Sequence, residues 1–327
     1  MKNLKRTAFA GLIVAGLFTA TACAQGPADT PAGPDDPAEV RSVKVIVSTI
    51  VDTSPVFIAE DRGLFEERGL DVEITAAPNP GARIPSLVSG AAAFTMVGTA
   101  DVVQAASAGI QLRVTGQTAQ TTDDPQQDTG KVYVAADSDI KTAADLNGRT
   151  VAVGGLGGGG ELSLRAALDM EGADSNQIKF LEVPFDSMVN ALETGQVDAI
   201  SGVSPFTIAA EEAGARWLMS PGATAMPGAS QQLVVTTEEY LSANQETVDL
   251  FMDALNEAIE YAGENPDAVR DILPKFSKTP AELAQKMVLP VYNPDVTAEK
   301  IKKWSDLMFE YGFIKNEIDV DTLLAVD

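Results

Sequence analysis

The chain of 327 residues has no histidine and one cysteine, Cys23. Without histidine there is no imidazole base for a Ser-His-Asp or Cys-His nucleophile, and no imidazole ligand for zinc. One thiol cannot close a disulfide within the chain or hold a metal cluster. Carboxylate chemistry is the acid–base chemistry these absences leave open. Cations are also scarce: 23 Lys and Arg stand against 47 Asp and Glu, for a net charge of −24. Such a balance opposes nucleic acid and anionic lipid headgroups as partners. After the first 20 residues no uncharged apolar run reaches the ~20 residues that span a bilayer.

What is present begins at the N-terminus. Lys2, Lys5 and Arg6 precede an uncharged apolar core, Thr7 to Ala20, which leads into Ala20-Thr21-Ala22-Cys23. A basic start, a short apolar core and small residues form an export signal. Small residues directly before a cysteine are what a lipoprotein signal peptidase reads. Residues 1–22 are therefore expected to be removed and Cys23 to carry a lipid. Cleavage at Thr21-Ala22-Cys23 by the ordinary route is the alternative. Residues 23–42 then form a tether. Within it Ala24 to Glu39 is rich in Pro, Ala, Gly and Asp and has no large apolar residue, so it cannot bury a core. As a flexible chain of about 16 residues it reaches on the order of 20–25 Å.

From Val43 strands and helices alternate, which argues for an α/β sheet domain. Val43 to Val47 reads as a strand and Pro55 to Glu67 as a helix stopped by Gly69. Asp71 to Thr75 alternates as a strand. Strands are also expected at Phe94 to Val97, Leu112 to Thr115 and Val132 to Ala135. A second run has strands at Thr150 to Val153, Ile178 to Val183 and Ala199 to Ser201. Its helices fall at Glu161 to Glu171 and Ser187 to Glu193. The runs echo each other. Leu87-Val88-Ser89-Gly90 before Ala93-Phe94 matches Leu192-Glu193-Thr194-Gly195 before Ala199-Ile200, each a helix stopped by glycine and followed by a strand. Two similar lobes are implied. After Leu233-Val234-Val235 the chain turns helical, with Val248, Phe251, Met252, Leu255 and Ile259 on one face. Thr279-Pro280 with Glu282 has the form of a capping box. These last helices are read as packing on the first lobe.

Four segments in order resemble a known family. They are Pro55-Val56-Phe57-Ile58-Ala59-Glu60-Asp61-Arg62-Gly63-Leu64-Phe65 with Gly69-Leu70-Asp71-Val72; Leu87-Val88-Ser89-Gly90; Asp145-Leu146-Asn147-Gly148-Arg149-Thr150-Val151-Ala152-Val153; and Leu192-Glu193-Thr194-Gly195-Gln196-Val197-Asp198-Ala199. They resemble stretches of the solute-binding proteins of ABC importers, in the family of nitrate-, taurine-, alkanesulfonate- and pyrimidine-precursor-binding proteins. The resemblance covers most of residues 43–210. It implies a two-lobed α/β periplasmic-binding-protein-like fold of type 2, with two chain crossings and a ligand cleft between the lobes. The crossings are expected near 132–136 and 233–235. Lobe one is then 43–134 plus 235–327, and lobe two 137–232.

In such a fold loops after strands and helix N-termini line the cleft. Five places are candidates. Thr53, Ser54 and Pro55, with Asp52 before them, open the first helix, where free N–H groups bind an acceptor or Ser54 simply caps. Gly98 and Thr99, followed by Asp101, open the third, with Thr99 as a cap or a ligand contact. Gln117 with Thr118 follows the fourth strand, either in the cleft or in a solvated loop. The run from Gly154 to Gly160 precedes Glu161. It lacks the Gly-Lys-Ser/Thr of a phosphate loop, and it lacks the Ser or Thr usual in the family here. Contacts at Gly157, Gly158 and Gly159 are then left to backbone N–H groups. Ser204 and Phe206 follow the last strand of lobe two, and Phe206, like Phe185, is either an apolar wall or core. Acidic residues lie in or beside these places and Lys and Arg are absent, with Arg83 the nearest cation. The balance favours a neutral, zwitterionic or amine-bearing solute over nitrate or sulfate.

The expectation is thus an extracytoplasmic lipoprotein held by lipid to the cell membrane, on its periplasmic side or outer face. It is a monomer that captures a small organic solute (a sulfonate, or a heterocyclic compound such as a pyrimidine precursor). It passes that solute to an ABC permease and its ATPase. No cofactor, metal, nucleic acid or catalytic residue is expected. The alternatives are an enzyme of cofactor-precursor biosynthesis on the same fold, or a ligand-free sensory or scaffold lipoprotein. Replacing Cys23→Ala should release the protein from the membrane fraction while leaving solute affinity unchanged. Loss of solute binding in that variant would contradict the division between anchor and binding body.

Overall fold

The structure is a computed structural model that describes residues 40–77 and 80–325. The export signal, Cys23 and the tether up to residue 39 lie outside the described residues. Among the described residues no helix is long and apolar enough to cross a membrane.

Two mixed sheets organise the chain. Strands β1 (Arg41–Val47), β2 (Leu70–Ala76), β3 (Phe94–Gly98) and β4 (Leu112–Gln120) belong to the first. Strands β5 (Gly130–Val134), β6 (Thr150–Val153), β7 (Lys179–Glu182), β8 (Ala199–Val203) and β9 (Arg216–Met219) form the second. The chain then returns, and β10 (Ser230–Thr237) and β11 (Val291–Tyr292) complete the first. The first sheet runs β11-β4-β10-β3-β1-β2 and the second β7-β6-β8-β5-β9. In both, three parallel strands are followed by one antiparallel strand that has just arrived from the other sheet: β10 in the first, β5 in the second. The two lobes are therefore built alike.

This exchange moves the crossings from their expected positions. Val132, Tyr133 and Val134 pair with β8 and β9, so the first crossing is the segment 121–129 that precedes β5. Leu233 to Val235 is likewise not a crossing, because β10 already lies between β3 and β4; the return passes through 226–229. An apolar strand reads the same whichever sheet it joins, so hydrophobicity alone misplaces the boundary. The two crossings are bonded to each other. Thr121 N–H donates to Ala229 O at 2.9 Å, Gly228 N–H to Thr121 O at 3.2 Å and the Thr121 hydroxyl to Met226 O.

Helices cover both faces of each sheet. The first run holds α1 (Ser54–Asp61), α2 (Arg83–Val88) and α3 (Thr99–Ser107). The second holds α4 (Gly159–Met170), α5 (Phe185–Glu193), α6 (Phe206–Glu212) and α7 (Pro221–Ala225). The C-terminal part adds α8 (Glu238–Ala243), α9 (Gln245–Glu264), α10 (Pro266–Phe276), α11 (Ala281–Lys286) and α12 (Ala298–Glu310). Strand alternation decides which face each residue serves. Val234 packs with α1 and α9, whereas Leu233 and Val235 pack with α3 and α12. The apolar stripe of α9 buries Phe251 and Leu255 completely. Phe251 stacks on Phe94 at 4.1 Å and on Phe65 at 5.2 Å between ring centroids.

Local signals held where glycine stops a helix. Gly90 and Gly195 both take positive φ, 72° and 69°, and each donates its N–H three residues back, to Leu87 O and Leu192 O. Other local expectations shift. The helix expected to run to Glu67 ends at Asp61 and is followed by turns. The expected Thr279–Glu282 capping box is not formed: Pro280 is the N-cap and makes no side-chain cap bond. Truncating Phe251→Ala removes the centre of the aromatic stack and should cost about 3–5 kcal/mol. Urea unfolding checks this; an unchanged midpoint would mean the stack is not part of the cooperative core.

Candidate functional site

The parallel strands of both sheets end at one cleft. Its cavity of about 360 Å³ is lined from the first lobe by Ile50–Asp52, Gly98–Asp101, Gln231, Gln232 and Trp304. Asp128–Gly130, Gly159, Gly160, Ser163, Ser201–Ser204, Pro221 and Gly222 line it from the second, with Thr121 and Met226 at the crossings. Strand C-termini are where an α/β fold presents loops and helix starts to a ligand. A larger groove of about 820 Å³ lies at the other end of the first sheet, between α2 and α8. Among the described residues, none of those with a buried side-chain atom that lacks a hydrogen-bond partner lines that groove. Four such atoms belong to residues of the cleft: Asp52 Oδ1, Gln232 Nε2, Trp304 Nε1 and Ser204 Oγ. Burying a polar atom without a partner costs about 1–3 kcal/mol, so the residues between the lobes carry a local cost to the fold.

Of the residues singled out in the sequence, Gly98, Thr99, Gly159 and Ser204 line this cavity, as do Asp52 and Asp101 beside them. Thr99 does not cap α3; its hydroxyl donates to Ser230 O at 2.7 Å and ties the helix start to β10. The others stand elsewhere. The Thr53 hydroxyl is spent on Ser48 O and Ile50 O at 2.7 and 2.8 Å, shaping the turn before α1. Ser54 and Pro55 are buried in the first turn of α1, and Ser54 makes no cap bond. Gln117 is fully buried: its amide donates to Asp295 O at 2.8 Å and accepts from Ser230 Oγ at 2.6 Å. It is a structural cross-tie, because β4 runs on to Gln120 where a loop was expected. Phe206 stacks on Phe185 at 5.5 Å outside the cavity.

The glycine run serves approach between lobes. A Cβ on Gly159 would stand 2.9 Å from Trp304 Cζ3 and 3.2 Å from Ala100 Cβ. Gly159 therefore lets α12 and α3 of the first lobe close upon α4 of the second. Gly157 and Gly158 lie outside the cavity, and Gly157 N–H donates to Glu161 Oε2 at 2.7 Å. Other bonds join the lobes around the cleft: Tyr311 Oη donates to Asp169 Oδ2 at 2.7 Å, and Lys286 pairs with Glu212 at 2.9 Å.

Sequence reasoning missed Trp304, Gln232 and Asp128. Trp304 lay among the C-terminal helices read as packing alone, although it is one of only two tryptophans. Gln231-Gln232 interrupts the apolar approach to Leu233, a signal that was available. Asp128 is held by backbone: Oδ1 accepts from Gly130 N–H at 3.0 Å and Oδ2 from Ala223 N–H at 2.8 Å. Burial raises its pKa, and these N–H groups and Lys131 pull it back down.

Asp52 is different. Burial pushes its carboxyl up to about 6, against which its own backbone N–H acts weakly. The Tyr292 hydroxyl donates to Val51 O at 2.7 Å next to it. That phenol is raised well above its usual range by burial first and the Asp52 charge second, with Ser54 opposing. Among the described residues no cluster of three or more side chains could hold a metal ion.

Residues 51–269 match the family described as NMT1/THI5 like. A formylaminopyrimidine-binding protein of Halalkalibacterium halodurans is 24% identical over 221 residues, covering 67% of this chain and 64% of the relative. The matched region thus spans just under two thirds of that protein's length. A Brucella abortus protein named only as a binding protein is 25% identical over 296 residues, covering 85% of this chain and 89% of its own. In fold, the chain is similar to the aliphatic sulphonate-binding protein SsuA of Escherichia coli, with TM-score 0.74, 20% identity and coverage of 86% and 91%. It is also similar to the nitrate-binding protein NrtA of Synechocystis, with TM-score 0.67, 15% identity and coverage of 88% and 86%.

The raised Asp52 pKa fixes a sign. Between about pH 4 and 6 the folded state holds this proton more tightly than the unfolded state. The stability it contributes is complete below about pH 4 and lost as pH rises through about 6, roughly 3 kcal/mol in all. Asp52→Asn should therefore be more stable than the parent at pH 7.5 and nearly equal to it at pH 4. Urea unfolding at both pH values measures this; a difference between the two proteins that does not change with pH would refute it.

Proposed function

The chain belongs to the NMT1/THI5-like family, and from that premise we propose that it is a solute-binding protein that closes its two lobes over a small organic molecule. The carrying observation is the single cavity that residues of both lobes line where the strands end, Asp52, Gln232 and Trp304 on one side and Ser204 on the other. Among the described residues two crossings join the lobes, so a hinge motion opens and closes the cleft without disturbing either sheet. Gly159 against Trp304 is the point where closure brings backbone against ring. The names of its relatives support a solute in the range from sulfonates and nitrate to pyrimidine compounds. Export, lipid attachment at Cys23 and delivery to an ABC permease complete the proposal, and rest on the N-terminal pattern and on the family. Binding without transformation is the reading that the names of the relatives support, as binding proteins.

Protein stripped by unfolding and refolding is mixed with the low-mass fraction of a cell extract, and its melting temperature followed. A solute in hundredfold excess over its Kd adds about 2.7 kcal/mol, so a rise of several degrees is expected. The molecule recovered from the complex should have the same mass as when it entered. No rise with any fraction would end the solute-capture proposal, and an altered mass would replace it with an enzyme.

A further inference from the structure

The two lobes meet along one face of α4. Gly159, Leu162 and Asp169 recur at helical spacing, which puts them on the same side of that helix. Trp304, Met308 and Tyr311 share a side of α12 in the same way, Tyr311 being the residue that ends it. Leu162 of the second lobe is fully buried, in one cluster with Ile301, Trp304 and Met308 of the first. That cluster also takes in Met226 and Ala229 of the return crossing.

Gly159 sits where the seam is tightest. A Cβ there would stand 2.9 Å from Trp304 Cζ3, 3.2 Å from Ala100 Cβ and 3.3 Å from Trp304 Cη2. These three nearest atoms all belong to the first lobe. Trp304 is itself buried, so its ring has little room to retreat. A Cβ on the adjacent Gly158 would meet nothing within 4 Å. The size of residue 159 therefore bears on the gap between the lobes and not on the packing within either.

Further along the same face Tyr311 Oη donates to Asp169 Oδ2 at 2.7 Å. Asp169 is already fixed on its own lobe: Oδ1 accepts Ser175 N–H at 2.7 Å and Oδ2 accepts Ser175 Oγ at 2.9 Å. Burial first and Asp169 second raise the Tyr311 phenol above its usual range, so it remains a donor at neutral pH. The other flank is looser. Ile208 of α6 reaches the cluster of α1 and α9, and the Lys286–Glu212 pair beside it has side chains 51% and 62% exposed. An exposed pair of this kind contributes little.

We propose that α4 and α12 form a latch that holds the lobes closed before any solute arrives, and that glycine at 159 lets them seat. Its use rests on the solute-capture proposal: a solute enters through the minor open population and is retained when the latch reforms over it. Overpacking by one methyl at 159 lowers the closed-to-open ratio by about five- to a hundredfold. Loss of the Tyr311 hydroxyl lowers it by about tenfold.

Nitroxides at Asp71→Cys and Lys179→Cys, exposed positions on the edge strands β2 and β7, report the separation of the lobes. The chain carries Cys23→Ala and is stripped of solute by unfolding and refolding. A single distance, that of this structure, is expected for the parent. Gly159→Ala and Tyr311→Phe, each first shown to fold by its own melting curve, should add a second population at a different distance. Gly158→Ala and Lys286→Met should leave the parent distribution as it is. A parent found mainly at another distance overturns the latch, and so does a Gly159→Ala distribution equal to that of Gly158→Ala. A response to Gly159→Ala without one to Tyr311→Phe keeps the seam and overturns the role of the hydroxyl. A response to Lys286→Met as large as that to Gly159→Ala overturns the assignment to this flank. The measurement contains no solute, so a failed latch leaves solute capture standing, and failure of solute capture leaves the latch as a property of the fold.

Discussion

The antiparallel insertion of β10 between β3 and β4 is the constraint on which the rest of the molecule depends. It closes the first sheet with a strand that has travelled through the whole second lobe, so the first lobe is not a contiguous piece of chain. The same strand carries the ties that define the cleft. Ser230 accepts the Thr99 hydroxyl through its carbonyl and donates its own hydroxyl to Gln117. Gln232 follows at the edge of the cavity, and Leu233 to Val235 then fill both faces of the core. Placing these groups requires pairing residues more than a hundred positions apart, so the site can be complete only when the fold is.

The buried polar groups of the cleft differ in how far the fold satisfies them. Asp128 and Glu161 are buried acids satisfied by backbone N–H groups or an arginine, and they are inexpensive to the fold. Asp52 is buried without such help on Oδ1, and Gln232 and Trp304 share that condition.

Particular residues show how far the sequence could be read. The glycines at 90 and 195 were legible, because a helix stop needs a positive φ that glycine adopts freely, and this is a local property. Glycine 159 was legible only as permitting close approach. What approaches it is Trp304, far along the chain, and nothing near either residue announces the meeting. Gln117 misled for the opposite reason: a polar residue after an apolar strand resembles a loop, yet its amide is consumed by Asp295 and Ser230 inside the sheet. The crossings were misplaced because an apolar strand carries no mark of which sheet it will join.

By itself, the sequence determined the α/β rhythm, the helix stops, the excess of acid and the lack of an imidazole or second thiol, since each follows from composition or short-range periodicity. From these the two-lobed fold could be argued. Only the tertiary structure decided which strand each lobe borrows, which polar side chains are buried without partners, and that Trp304 stands in the cleft. Those outcomes depend on long-range pairing and desolvation, which exist only once both sheets are assembled and facing each other.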